Sequence, residues 1–82
     1  MTKAIYRKEH ELFLSLLKKR RIAAGLTQAQ CSSALNRPQS FMSDVERGTR
    51  RLDIVQISDL CTVLKCDLVD LVREFHDSIV QR

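Results

Sequence analysis

The spacing of helix-stopping and helix-starting residues between Gly25 and Gly48 restricts this chain more than any other feature. Gly25 follows a segment in which Phe13, Leu17, Arg21 and Ala24 recur every three or four residues, the period of one helix face. A glycine there adopts the positive φ of a C-terminal cap, so a first helix over residues 7–24 stops at it. Thr27 and Gln30 make a capping box: the threonine hydroxyl accepts from the Gln30 backbone N–H while the Gln30 side chain reaches back. The helix they start ends near Leu35, because Asn36 suits a left-handed turn. Pro38 donates no backbone hydrogen bond and fits the cap or first turn of a third helix over residues 38–47, which Gly48 ends. Two short helices joined this tightly must cross steeply, which leaves the second standing out from the surface.

Asp53 and Asp67 each precede an apolar-periodic segment, with Gln56 and Asp70 three residues on, and read as the N-caps of two further helices. Five helices make an all-α chain. Its 82 residues, 44% of them apolar, suffice for one domain over 1–82 with a core in about 9–73. Two glycines, one proline and four aromatic residues are too few for a turn-rich sandwich or barrel. Cys31, Cys61 and Cys66 are odd in number and lack zinc-like pairing, and each falls where a helix turns inward. They read as small core residues.

Several classes are disfavoured. No apolar run approaches the ~18 residues of a membrane span, and the first residues, MTKAIYRKEHE, lack the apolar stretch of a signal peptide, so a cytoplasmic protein without membrane contact is expected. His10 and His76 are isolated, and no nucleophile arrangement, phosphate-binding glycine loop or metal-ligand spacing is legible. Neither an enzyme nor a cofactor or metal protein is expected. Charge is divided: residues 1–52 carry eleven Lys/Arg against four Asp/Glu, whereas residues 53–82 carry three against six. Such a molecule presents a basic face suited to a polyanion and keeps an acidic end for packing or association. Lys18, Lys19 and Arg20 read as a solvated basic face.

The segment LTQAQCSSALNRPQSFMSDVERG, with its flanking helices, resembles the helix-turn-helix of Cro/lambda-repressor-like (XRE) proteins over about two thirds of the chain. Cys31, Leu35, Met42 and Val45 stand at that family's apolar positions, Ser32 at its small position and Asn36 at its turn glycine. Arg37 and Pro38 depart from it, standing where the family carries an apolar residue and a capping Ser or Thr.

The resemblance implies a five-helix lambda-repressor-like domain, with its helix-turn-helix in 27–47 and an extended C-terminal helix over 67–80. It also implies a sequence-specific regulator of transcription, a repressor or autoregulator, that reads the major groove of double-stranded DNA at a palindromic operator. Gln39, Ser40, Ser43 and Asp44 would face the bases. A Gln amide matches the donor and acceptor of adenine, and Asp44 could accept from cytosine. Gln28 would meet a phosphate and brace Gln39, and Arg37, Thr49, Arg50 and Arg51 would hold further phosphates. Arg21 and Glu46 stand where the family carries a structural ion pair.

Leu71, Val72, Phe75 and Ile79 form an apolar stripe for a homodimer, which would set two reading helices in successive grooves ~34 Å apart. The alternative use of the stripe is cover within one subunit, with Phe75 and Ile79 against Phe13 and Tyr6. Rival functions are an antitoxin-type protein-interaction module that also binds its operator, and a restriction-modification controller.

Overall fold

The computed structural model describes residues 7–81. These form five helices, α1 Lys8–Ala23, α2 Gln28–Ala34, α3 Phe41–Arg47, α4 Ile54–Leu64 and α5 Leu68–Gln81. None of the described helices is long and apolar enough to cross a membrane. Tyr6 lies outside the described residues.

Local chemistry sets most of the boundaries. Gly25 takes φ 75°, and the Leu26 N–H donates back to Arg21 O at 3.2 Å, so the last carbonyls of α1 are satisfied as the chain turns. Both capping boxes form. Thr27 Oγ1 accepts from Gln30 N at 3.0 Å and Gln30 Oε1 from Thr27 N at 2.9 Å; Asp53 and Gln56 do the same at 2.8 and 2.9 Å. Asn36 is left-handed at φ 57° and ends α2. Lys65 does the same for α4 at φ 58°, with no glycine or asparagine to announce it.

The third helix corrects the sequence-based expectation. It begins at Phe41 rather than Pro38. The Phe41 N–H bonds to Pro38 O at 2.9 Å, so Gln39 and Ser40 form a tight turn ahead of the helix. Ser40, at the N-cap position, makes no capping bond with its side chain. The cap comes from another helix: Ser32 on α2, fully buried, accepts from the Met42 N–H at 3.0 Å. A first-turn donor buried in the core is thus satisfied from α2, which also ties the two helices together. Ser32→Ala is expected to cost ~1–3 kcal/mol by stranding that N–H. Ser40→Ala should stay within ~0.5 kcal/mol, as for a surface change. Urea unfolding of the two variants side by side separates them, and equal losses would disprove the cross-helix cap.

The core gathers Leu16 and Leu17 from α1, Cys31 from α2, Phe41, Met42 and Val45 from α3, Leu60, Cys61 and Leu64 from α4, and Leu71 from α5. Burial raises the Cys31 thiol and pushes that of Cys61 up to about 12, so both act as small, protonated core groups. Cys66 differs from the sequence-based expectation: it sits half-buried in the turn between α4 and α5, not on a helix. The basic face of α1 is also more committed than expected. Arg20 Nη2 reaches Glu74 Oε1 at 2.9 Å and Lys19 Nζ reaches Glu74 Oε2 at 3.5 Å, joining α1 to α5. Hydrogen bonding to Arg20 holds the Glu74 carboxyl below the usual carboxylate range.

Candidate nucleic-acid interface

The position of α3 is fixed by one ion pair. Arg21 Nε lies 2.7 Å from Glu46 Oε2 and Arg21 Nη2 3.2 Å from Glu46 Oε1, a two-point contact between α1 and the last turn of α3. The third guanidinium nitrogen, Nη1, donates to Leu26 O at 2.8 Å. Gln28 Nε2 donates to Glu46 Oε1 at 3.0 Å. The two charged side chains are only 9% and 6% exposed, so this network is sheltered from competing water and salt. It ties α1, the α1–α2 turn, α2 and α3 into one frame.

Held in this way, α3 turns Phe41, Met42 and Val45 into the core, Glu46 toward Arg21, and Ser43, Asp44 and Arg47 toward its outer face. Gln39 and Ser40 are exposed in the turn ahead of the helix, and Ser43 and Asp44 are half-buried on the helix itself. Gln39, Ser40 and Ser43 line one shallow depression with Thr27, Gln28 and Ala29 at the start of α2. Arg37, exposed in the α2–α3 turn, shares a neighbouring depression with Gln39, and Arg50 and Arg51 are exposed after α3. The exposed acids Asp53, Asp59, Asp67, Asp70 and Asp77 belong to the cap of α4, to α4, to the α4–α5 turn and to α5. Hydrogen-bonding side chains and exposed arginines thus both belong to the helix-turn-helix and the segment that follows it.

The helix-turn-helix domain family model matches residues 13–75. A solved structure of an XRE-family like protein from Pseudomonas syringae pv. tomato is 36% identical, with a TM-score of 0.80 over 85% of each chain. The chain belongs to the XRE helix-turn-helix family. Two further structures share the fold at lower identity. A variant of the restriction-modification controller protein C.Esp1396I is 22% identical, with a TM-score of 0.80 over 93% of this chain and 96% of that one. The clp gene regulator ClgR from Corynebacterium glutamicum is 20% identical, with a TM-score of 0.77 over 92% and 80%. No curated protein matches the sequence.

Several roles implied by the XRE resemblance are altered by the contacts. The Gln28 amide donates to Glu46, which commits one of its N–H groups to the frame of α3. Thr49 does not present a free hydroxyl: Oγ1 donates to Asp44 O at 3.1 Å and its N–H to the same oxygen at 3.0 Å. A phosphate offers only acceptors, so a hydroxyl whose proton is already committed is a poor partner for it. Thr49 instead closes the end of α3. The Asp44 carboxylate is bound to Arg47 one turn along, which lessens its freedom to accept from a base.

Leu71 is fully buried and cannot belong to a subunit interface. Phe75 is largely committed within the chain, its ring meeting that of Phe13 edge-on at 5.4 Å between centroids. Val72 is exposed and Ile79 half-buried, and both border a recess of about 630 Å³ that Ile54 also lines.

Two features escaped the sequence. Arg37 and Arg50 both lie over the Phe41 ring, at 5.2 and 5.0 Å from its centroid. Ser32 reads from sequence only as a small residue, although its hydroxyl caps α3. The signal for the first was the placing of arginines four residues before and nine after a phenylalanine otherwise assigned to the core.

Proposed function

We propose that this XRE protein, a DNA-binding transcriptional regulator, acts in the cytoplasm as a homodimeric repressor or autoregulator at a palindromic operator. The reading elements are the turn at residues 39–40 and the outer face of α3, inserted in the major groove. Gln39 and Ser40 meet base edges first, with Ser43 and Asp44 behind them. Arg37, Arg50 and Arg51 contact phosphates on the groove's rims, and Gln28 lies beside them at the start of α2. The observation that carries this reading is the polar row of Gln39, Ser40 and Ser43 in one shallow depression, with Arg37 beside Gln39 and α3 mounted through Arg21 and Glu46. A major groove is wide enough for one helix, and rigid mounting lets a few side chains select sequence there.

Dimerisation supplies the symmetry. The exposed apolar residues Val69, Val72 and Val80 of α5 and Ile54 and Val55 of α4 offer apolar surface for a second copy. The same patch favours the second reading, a module that masks a different protein while retaining its operator. Sedimentation of the pure protein separates them: self-association supports the first, and a monomer at all concentrations the second.

The DNA reading is tested on duplex from upstream of the protein's own gene. Gln39→Ala is expected to cost ~1–3 kcal/mol on the preferred sequence and to relax sequence preference. Arg51→Ala should weaken every sequence alike and reduce the salt slope by about one. A Gln39→Ala variant that loses equally on all sequences would remove Gln39 from the base-reading set.

A further inference from the structure

Arg37 and Arg50 enter α3 from opposite ends of its sequence, yet their guanidinium groups converge on one ring. Arg37 precedes the helix, and Arg50 follows it and turns back along it to reach Phe41 in the first turn. With both carbons about 5 Å from one centroid, the two cations are no more than about 10 Å apart. Their mutual repulsion opposes this closeness. Neither forms an ion pair among the described residues, and Asp59, which shares a small recess with Arg37 and Phe41, makes none with it. The attraction that assembles them is that of the ring for cations.

The roots of both side chains are also fixed. Arg37 N–H donates to Ser32 O at 3.0 Å, and Arg50 N–H donates to Asp44 O at 3.2 Å. Phe41 is 6% exposed and cannot shift without opening the core. It is therefore a rigid base for the two cations.

We propose that Phe41 is a positioning residue for DNA binding: its ring holds the Arg37 and Arg50 guanidiniums, before DNA arrives, in the arrangement that clasps the phosphates beside α3. This rests on the DNA-binding function proposed above. A guanidinium resting by its face on an aromatic ring keeps its N–H edge free, and that edge is what a phosphate binds. A long side chain already parked loses less freedom on binding than one sampling many rotamers. Phe41 touches no base in this scheme and adds affinity without selecting sequence.

A short duplex of arbitrary sequence at low salt is the suitable probe, because phosphate contacts carry no sequence information. Phe41→Leu, which keeps apolar bulk and removes the ring, is expected to bind about 5- to 30-fold more weakly. Phe41→Tyr should bind as tightly as the wild type. Arg37→Ala introduced into Phe41→Leu should cost less than Arg37→Ala alone, the mark of a shared interaction.

The unmutated protein gives an independent readout. In the DNA-free state the Arg37 and Arg50 methylene protons should be shifted upfield by the ring current. Resonances at their ordinary positions, or losses that simply add in the cycle, overturn the proposal. A wild type that binds no duplex overturns the DNA-binding function, and this role with it. A wild type that binds, with Phe41→Leu equal to it, overturns the role of Phe41 alone.

Discussion

Glu46→Ala is expected to destabilise the fold by about 3–5 kcal/mol, because it leaves the Arg21 guanidinium charged, sheltered and without its counter-ion. The Glu46 and Arg21 side chains are 6% and 9% exposed, so water cannot readily replace the lost carboxylate. Leu26 O remains as one acceptor for Nη1, but Nε and Nη2 lose theirs together, and Gln28 loses the acceptor for its amide. A domain of this size gains only ~4–12 kcal/mol on folding, so the change removes a large share of the total. At about 4–8 °C per kcal/mol, the melting point should fall by roughly 12–40 °C, which circular dichroism measures directly.

The companion variant separates mounting from stability. Arg21→Met with Glu46→Leu replaces the ion pair by apolar groups and should recover most of the lost stability, as buried pairs commonly allow. A loss below about 1 kcal/mol for Glu46→Ala would mean that the pair is solvated in solution and does not hold α3.

What could be read from the sequence, and what could not, divides along the distance between interacting residues. Gly25, the boxes at Thr27 and Asp53, Asn36 and Gly48 declare their turns because a cap is made by residues three to five apart. The start of α3 could not be read in this way. Pro38 is compatible with a first helical turn, but the carbonyl of Pro38 takes the Phe41 N–H, and the cap is delivered by Ser32 from another helix. Nothing within one turn of Pro38 encodes that choice. Lys65 shows the same limit, since a left-handed lysine has no local signature and depends on the packing of α4 against α5.

At the site, Gln39 and Ser40 are outward, as a polar helix-turn-helix face suggests, and Arg21 meets Glu46. The commitments of Gln28, Thr49 and Asp44 were hidden. Each is a polar residue whose free appearance in sequence ends with a partner one turn or one helix away. Phe41 was hidden for the opposite reason: its apolar character placed it in the core, while its second function depends on where two arginine tips come to rest.

Adjacent residues of α5 should give opposite outcomes, which is the sharpest check on how the C-terminal helix is used. Leu71 is fully buried among core residues, and Leu71→Ala is expected to cost ~2–5 kcal/mol through lost burial and an unfilled cavity. Val72 is 45% exposed, on the side of α5 that carries the exposed Val69 and Val80. Val72→Asp removes no core contact of comparable size, so the melting point at low protein concentration should stay near that of the wild type. A charge placed in an apolar interface opposes association, and the variant should lose the rise of melting point with concentration that marks a dimer. Phe75 is unsuitable for this purpose, since its ring packs on Phe13 and a substitution there would disturb fold and association together. Sedimentation should therefore show Leu71→Ala as an unstable dimer and Val72→Asp as a stable monomer. A Val72→Asp protein that still pairs would move the subunit contact away from this side of α5, and a Leu71→Ala protein as stable as the wild type would contradict its place in the core.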